Sequence, residues 1–249
     1  MKHTIFALCS LVLTIGVSAQ DPNFDPLGTR NMPKMVRVMV EFIEVPLPEL
    51  TKLLAEPRTT TNDNDLRTAA GKLVELGIAK HAETQFVMAR SGETAKTEGI
   101  LEYIYPTEYD PAELPNEVNT GEVNENTIEL FKNMLIPPTP TAFDTRPTGS
   151  SLEIQPQLDE NDLLVNLQFE PELVAHVRNE IWAEWNGAQG EAHVKMPLFF
   201  TNRITTGLTV VNGQYCLVAT NSMLGEDGTP DHQRKLLFFV RADVLTVGL

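Results

Sequence analysis

Apolar and polar residues alternate one by one in several segments of this chain, and that period of two most restricts its fold. In one segment the residues facing the same way are Val36, Val38, Val40 and Phe42. In another they are Leu163, Val165, Leu167 and Phe169, with polar residues between most of them. Because successive side chains of a strand point to opposite faces, both patterns predict strands with one buried face. The apolar run 236–240 predicts a central strand of a sheet.

Glycine-containing pairs between such segments predict the connections. Ser91 and Gly92 lie between predicted strands 84–90 and 95–105, and Asn212 and Gly213 lie between 199–211 and 214–220. Glycine accepts a positive φ, so both pairs are interpreted as hairpin turns. The acidic run 159–162 predicts a turn after the strand around 152–155, segment 174–185 predicts a further strand, and 223–233 predicts a polar loop.

Two segments early in the chain have helical rather than strand periodicity. They are 47–56 and 62–80, the second with Asp63 or Asn64 available as an N-cap. The run 62–65 also suggests a calcium loop, but it lacks the loop glycine and the distal glutamate, so capping is the preferred interpretation. The predicted fold class is α+β, mainly β: an antiparallel hairpin meander with two helices inserted after the first strand.

The first 19 residues have the pattern of a secretory signal peptide. A charged start is followed by an apolar stretch at 5–17, too short for a spanning helix, and by small residues before a cleavage point after Ala19. Residues 20–34 are interpreted as an irregular arm and 35–249 as a single domain. Cleavage removes Cys9 and leaves Cys216, which we expect to be a small buried hydrophobe. The chain is therefore expected to be exported.

The charge excludes one class of partner. The chain has 34 acidic and 19 basic residues, a net charge of −15, which opposes binding to nucleic acid and polybasic docking on membranes. Removing Lys2 with the signal peptide makes it 18 − 34 = −16. Nine acidic residues and no Lys or Arg lie within 98–130. We interpret 106–147 as an acidic, proline-containing loop, with an acidic ligand-binding patch as the alternative.

No residues form a recognisable catalytic, metal or cofactor motif. The histidines after residue 19 lack metal-ligand spacing; they are His81, His176, His193 and His232. The many carboxylates leave a cryptic hydrolase as a minor alternative. Trp182 and Trp185 would face opposite sides of a strand, one inward and one outward. We therefore predict a protein that is not an enzyme and carries no cofactor.

Several segments taken together resemble one family. They are 40–45 (VEFIEV), 89–95 (ARSGETA), 104–109 (IYPTEY), 148–156 (TGSSLEIQP), 163–171, 197–214 (with FFTNR and NGQ) and 236–240. In this order they resemble the C-terminal domain of bacterial secretins, the outer-membrane channels of type II and type III secretion and of type IV pili. The resemblance covers about residues 36–245. Where secretins follow the last turn with a Gly-Gly-Leu sequence, this chain has 215–221 (YCLVATN).

The resemblance implies a role in protein secretion or pilus-type transport, in the periplasm or outer membrane of a Gram-negative-type bacterium. It implies self-association by strand pairing, secretion or pilus envelope components as partners, and an inner gate at the Ser91–Gly92 turn. The face formed by Leu163, Val165, Leu167 and Phe169 is the predicted assembly face. The missing glycine pair favours an alternative, a monomeric periplasmic or surface binding module that uses the same fold without forming a pore.

Overall fold

The structure is a computed structural model that describes residues 32–55, 57–110, 137–187 and 190–247, together with 125, 126 and 129. The signal peptide, most of the N-terminal arm and most of the acidic segment lie outside these residues. The helices are α1 (Leu47–Leu53) and α2 (Asn64–Glu75). The strands are β1 (Lys34–Pro46), β2 (Lys80–Arg90), β3 (Ala95–Asp110), β4 (Thr139–Leu158), β5 (Leu164–Gly187), β6 (Gly190–Arg203), β7 (Thr206–Val211), β8 (Tyr215–Leu224) and β9 (Pro230–Thr246).

The strands form two antiparallel sheets. One has the order β2-β1-β9-β8, and the other has the order β3-β4-β5-β6 with β7 paired to the first part of β5. The two helices follow the first strand, so the predicted mainly β, α+β class is confirmed. The apolar run 236–240 lies in β9, which is an interior strand between β1 and β8 as predicted.

The main core lies between the two sheets. The alternating face of β1 packs with β9 against β4, β5 and β7, and the fully buried residues there include Val36, Val38, Val40, Phe42, Leu152, Val165, Phe238 and Val240. The opposite face of the four-stranded sheet is partly covered by the helices, through Ile43, Leu50, Ala70, Leu237 and Phe239. Helices, four-stranded sheet and part of the five-stranded sheet thus form three layers.

A polar cluster attaches α2 to the four-stranded sheet. The Glu41 carboxylate, 5% exposed, accepts two hydrogen bonds from the Arg67 guanidinium, at 2.7 and 3.0 Å. The Tyr215 hydroxyl donates to the same carboxylate at 3.2 Å, and the Arg67 guanidinium lies over the Tyr215 ring. Burial, then the Glu41 charge, raises the pKa of Tyr215, so the phenol stays a neutral donor.

Replacing Glu41 with alanine is therefore expected to lower the free energy of unfolding by about 1–3 kcal/mol, because Arg67 and Tyr215 lose a charged acceptor. The control is Glu49→Ala, which removes only the exposed pair with Lys52 within α1 and is expected to cost less than about 0.5 kcal/mol. Urea unfolding followed by circular dichroism measures both. Equal losses in the two variants would contradict a structural role for the cluster.

Both glycine-containing hairpins predicted from the sequence are wrong. β2 pairs with β1 and β3 with β4, so the turn at Ser91 and Gly92 connects the two sheets. The turn at Asn212 and Gly213 likewise connects β7 to β8 across the sheets. Each turn has an i to i+3 hydrogen bond and a positive φ at the glycine alone. That is the sign pattern of a type II turn, whereas a type I′ hairpin turn needs positive φ at both central residues.

Other predicted boundaries also change. Helix 62–80 ends at Glu75, because a Schellman motif closes it: Gly77 has φ +72°, and the Ile78 N–H donates to the Leu73 carbonyl at 2.9 Å. Strand 199–211 is interrupted after Arg203, and 174–185 continues β5 rather than forming a new strand. The loop predicted at 223–233 shortens to 225–229, and of the one predicted at 106–147, residues 106–110 belong to β3 and 139–147 to β4. The turn at 159–162 is confirmed as the β4–β5 hairpin.

Candidate functional site

Two strand pairs separate from the five-stranded sheet and continue past the core. β4 and β5 pair from Leu158 and Val165 as far as Gly149 and Val174. Beyond that point, among the described residues, β4 pairs only with β3 and β5 only with β6. We call 100–110 with 139–148 ribbon A, and 175–187 with 190–200 ribbon B. The β3 part of ribbon A has 11 residues, which span about 37 Å when extended.

Gly149 lies at the point where the ribbons separate. Its φ is +122°, and a Cβ built on it would lie 2.2 Å from the backbone oxygen of Gly99 on β3. A side chain here would be strained and would also displace the neighbouring strand. The absence of a side chain therefore permits β3 and β4 to stay close while β4 leaves β5.

Aromatic side chains join the facing sides of the two ribbons. The rings of Tyr103 and His176 stack with centroids 4.4 Å apart, and the Phe199 ring meets Tyr103 edge-on at 5.7 Å. The Tyr103 hydroxyl donates to the Asn179 side-chain oxygen at 3.0 Å. The Arg146 guanidinium lies 5.3 Å from the Phe199 ring centroid. These contacts cover part of the facing side of each ribbon with aromatic and polar side chains, while Leu101 on the same side of β3 stays exposed.

The opposite face of ribbon A is exposed and mostly apolar, with the charged Glu102 between Ile100 and Ile104. It includes Ile100 and Ile104 on β3 and Phe143 on β4, with Ile104 65% and Phe143 59% exposed. The register places Phe143 opposite Pro106, two residues beyond Ile104 on the same face. We call Ile100, Ile104 and Phe143 the outer apolar face. Ribbon A therefore has one partly covered side and one mostly apolar side that nothing in the described structure covers.

Near the tip of ribbon B the two tryptophans differ in exposure. Trp182 is 71% exposed, next to the exposed Ile181, whereas Trp185 is half-buried. Trp182 occupies the extra position of a bulge between Ile181 and Ala183. We expected one ring to face outward and the other inward. Trp182 is exposed as expected, but Trp185 is only partly covered, because neither core cluster extends under ribbon B.

The structure places most of the predicted assembly face inside one copy. Val165, Leu167 and Phe169 are buried between the two sheets of one copy, where they pack in the main core. Only Leu163 is exposed, at 61%, and it lies in the turn before β5 rather than on the strand. The alternating pattern identified a buried strand face correctly, but a pattern of this kind does not tell what covers the face.

The outer apolar face was missed, although the sequence contains a signal for it. In the run 99–105 (GILEYIY) apolar residues occupy both alternating sets, which differs from a strand with one wet face.

The turn residues Ser91 and Gly92 are hydrogen-bonded to β4. The Ser91 hydroxyl accepts from the Leu158 N–H at 2.9 Å, and the Gly92 N–H donates to the Pro156 carbonyl at 2.7 Å.

Nucleophilic and metal chemistry has little support within the part of the chain that is described. The Ser222 hydroxyl lies 3.2 Å from His232 Nδ1 and accepts from the Lys235 ammonium at 2.8 Å. This trio lies on the surface of β8 and β9, and none of its three residues lines a described cavity. No group of three His, Cys, Asp or Glu side chains with metal-binding geometry occurs among the described residues. Neither described helix is both long and apolar enough to cross a bilayer.

Comparison with known proteins gives likeness at the level of structure. No family model matches the chain, and no curated protein matches it. The E. coli K12 type II secretion system secretin GspD is similar at 11% identity and a TM-score of 0.37, over 86% of this chain and 50% of that one. The Salmonella SPI-1 type III secretion injectisome secretin InvG matches at 10% and 0.39, over 88% and 63%. Aeromonas hydrophila ExeD matches at 11% and 0.40, over 87% and 49%. This chain thus spans about half to two-thirds of the length of these proteins.

Proposed function

We propose that this protein is an exported, non-enzymatic envelope protein whose copies assemble by pairing the strands of their ribbons. Its role would resemble that of a secretin C-terminal domain, in protein secretion or pilus-type transport across the outer membrane of a Gram-negative-type bacterium. Other secretion or pilus components would be its partners. The observation that carries the proposal is ribbon A, a two-stranded extension with an exposed apolar face and strand edges that no other described strand pairs.

The physical reason is the cost of leaving such a ribbon alone in water. Residues 139–148 of β4, which precede Gly149, pair with β3 along one edge only. Along their other edge, the main-chain N–H and C=O groups have no strand beside them among the described residues. Exposed edges of long strands attract further strands. A closed ring of ribbons shared by several copies would pair every edge and place the outer apolar faces side by side. The ordered sequence segments that resemble those of secretins support the same arrangement.

The test is a pair of charged substitutions on the outer apolar face. In Ile104→Lys/Phe143→Lys we expect loss of the large assembly, because two ammonium groups would replace exposed apolar side chains. The matched control, Gln157→Lys/Gln233→Lys, adds the same two charges at exposed polar positions outside the ribbons. Detergent extraction of the envelope fraction, mass measurement and negative-stain imaging compare the three proteins. Rings in both the wild type and the face variant would refute the proposed surface.

A monomeric periplasmic or surface binding module is the second candidate. It is favoured by the contacts between ribbons A and B, which are satisfied within one copy. Under this alternative the ribbons would form a closed arm, and the outer apolar face would bind a different protein. A wild-type chain that remains a freely soluble monomer at all concentrations would favour the module over the assembly.

A further inference from the structure

The start of α2 covers the first residues of β8, at one edge of the four-stranded sheet. Asp63 occupies the N-cap position, yet its side chain makes no capping bond to the helix. Its carboxylate instead accepts a hydrogen bond from the Leu217 N–H of β8 at 2.7 Å. The Asn64 side-chain oxygen accepts from the Tyr215 N–H at 2.8 Å, and the Asp63 N–H donates to the Tyr215 carbonyl at 2.8 Å. Asp63 and Asn64, which the sequence offered as helix caps, therefore bond to main-chain groups of a strand instead.

These contacts occupy the groups that another strand would use. β8 is an edge strand, paired only with β9 in the described sheet. Alternate residues of an edge strand direct both main-chain groups outward, and Tyr215 and Leu217 are such an alternate pair. With both N–H groups and the Tyr215 carbonyl already bonded, no further strand can be added there unless the start of α2 moves away.

The covering segment is held firmly. Asp63 is 5% exposed and forms an ion pair with the Arg58 guanidinium at 2.5 Å. Nearby, the Asn62 side chain accepts a hydrogen bond from the Asn64 N–H at 3.1 Å but makes no bond to β8. Displacing the segment would break its three hydrogen bonds to β8, which costs free energy.

We infer that Asp63 and Asn64 form an edge guard, which prevents a second copy of this chain from extending the four-stranded sheet at β8. The strand it excludes is β2 of the second copy, the other edge of the same sheet. Head-to-tail addition of β2 to β8 would produce open-ended growth unless the rotation closed a ring. The biological role of the guard rests on the proposed function, because the guard would restrict pairing between copies to the ribbons.

The test removes the two side-chain bonds of the guard in a chain that cannot assemble through its ribbons. In the Ile104→Lys/Phe143→Lys background, Asp63→Ala/Asn64→Ala is expected to speed hydrogen exchange at the Tyr215 and Leu217 amides about tenfold. The same protein should then form dimers and larger species that increase with concentration in sedimentation velocity. Faster exchange without association, or unchanged exchange, would overturn the guard.

Two further variants keep the result interpretable. Asn62→Ala removes the acceptor for the Asn64 N–H but none of the bonds to β8, so it should change neither exchange nor mass. If the double variant fails to fold, Asn64→Ala alone leaves the Asp63–Arg58 pair and should expose only the Tyr215 amide, with weaker association. Association of Asn62→Ala equal to that of the double variant would overturn the guard.

Cys216 reports whether these variants keep their fold. Burial, then the nearby Asp63 charge, raises the pKa of its thiol, and Arg58 opposes this shift. In the folded Asn62→Ala and Asn64→Ala variants, which keep Asp63, the thiol should react slowly with a thiol reagent, as in the wild type. The Ile104→Lys/Phe143→Lys background also separates the proposed function from the edge guard. If the wild-type ribbons do not assemble, the proposed function fails, whereas association through β8 still tests the guard.

Discussion

Replacing Gly149 with alanine is expected to lower the free energy of unfolding by about 2–5 kcal/mol. Two effects add. The backbone there has φ +122°, which residues with a Cβ rarely adopt, and the new Cβ would lie 2.2 Å from the Gly99 carbonyl oxygen. Because that oxygen belongs to the main chain of β3, relief requires β3 and β4 to move apart. Urea unfolding followed by circular dichroism would show the loss as a lower midpoint.

The control for this substitution is Gly207→Ala on β7. The nearest atom to a Cβ built at Gly207 is the Gln168 Cγ at 3.9 Å, and its φ lies outside the positive range. Its effect is expected to stay within about 0.5 kcal/mol. If both glycines tolerate alanine equally, the ribbons do not separate at Gly149 as described.

Phe238→Ala is expected to lower the free energy of unfolding by about 3–5 kcal/mol. Phe238 is fully buried at the centre of β9, and its ring meets that of Phe42 on β1 edge-on, with centroids 5.0 Å apart. Truncation would remove this pair and leave a cavity between the two sheets, where surrounding strands cannot easily move closer. The same urea titration measures the loss.

An exposed phenylalanine on the same sheet is the control. Phe86 on β2 is 61% exposed, so Phe86→Ala should cost less than about 1 kcal/mol. A small effect at Phe238, comparable to that at Phe86, would mean that the two sheets do not enclose a common core.

The buried elements were predictable because a strand or helix with a buried face has apolar residues at regular intervals in its sequence. The alternation at 36–42 and the apolar run at 236–240 identified β1 and β9, and both lie in the interior of a sheet. The helices were predictable for the same reason, although the Schellman motif at Gly77 ended α2 earlier than its periodicity suggested. The apolar periodicity of a helix does not show at which residue the helix ends.

The pairing of the strands was not predictable from local residues. Gly92 and Gly213 each support a turn, but the sequence does not reveal whether the preceding residue also has positive φ, and that decides between a hairpin and a crossover. The candidate site was missed for a related reason. Val165 and Phe169 show the strongest alternation, yet the second sheet covers them, and the exposed apolar residues lie on the less regular ribbon A.

Asp63 illustrates the limit at the level of one side chain. Its position before a helical segment predicted a cap, and the structure places it at the N-cap position. Its carboxylate nevertheless bonds to β8, which lies more than 150 residues later in the sequence. A short polar side chain can satisfy either group, and only the tertiary fold decides which one is near.

Hydrogen exchange along the outer edge of ribbon A tests the central claim most directly. The wild-type protein, extracted in detergent, is compared before and after dispersal to single copies, and exchange is read at the outward-facing amides of 139–148 in β4. Pairing of ribbons between copies predicts slow exchange at these amides in the extracted protein and fast exchange after dispersal. Fast exchange at these amides in both samples would contradict assembly through the ribbons.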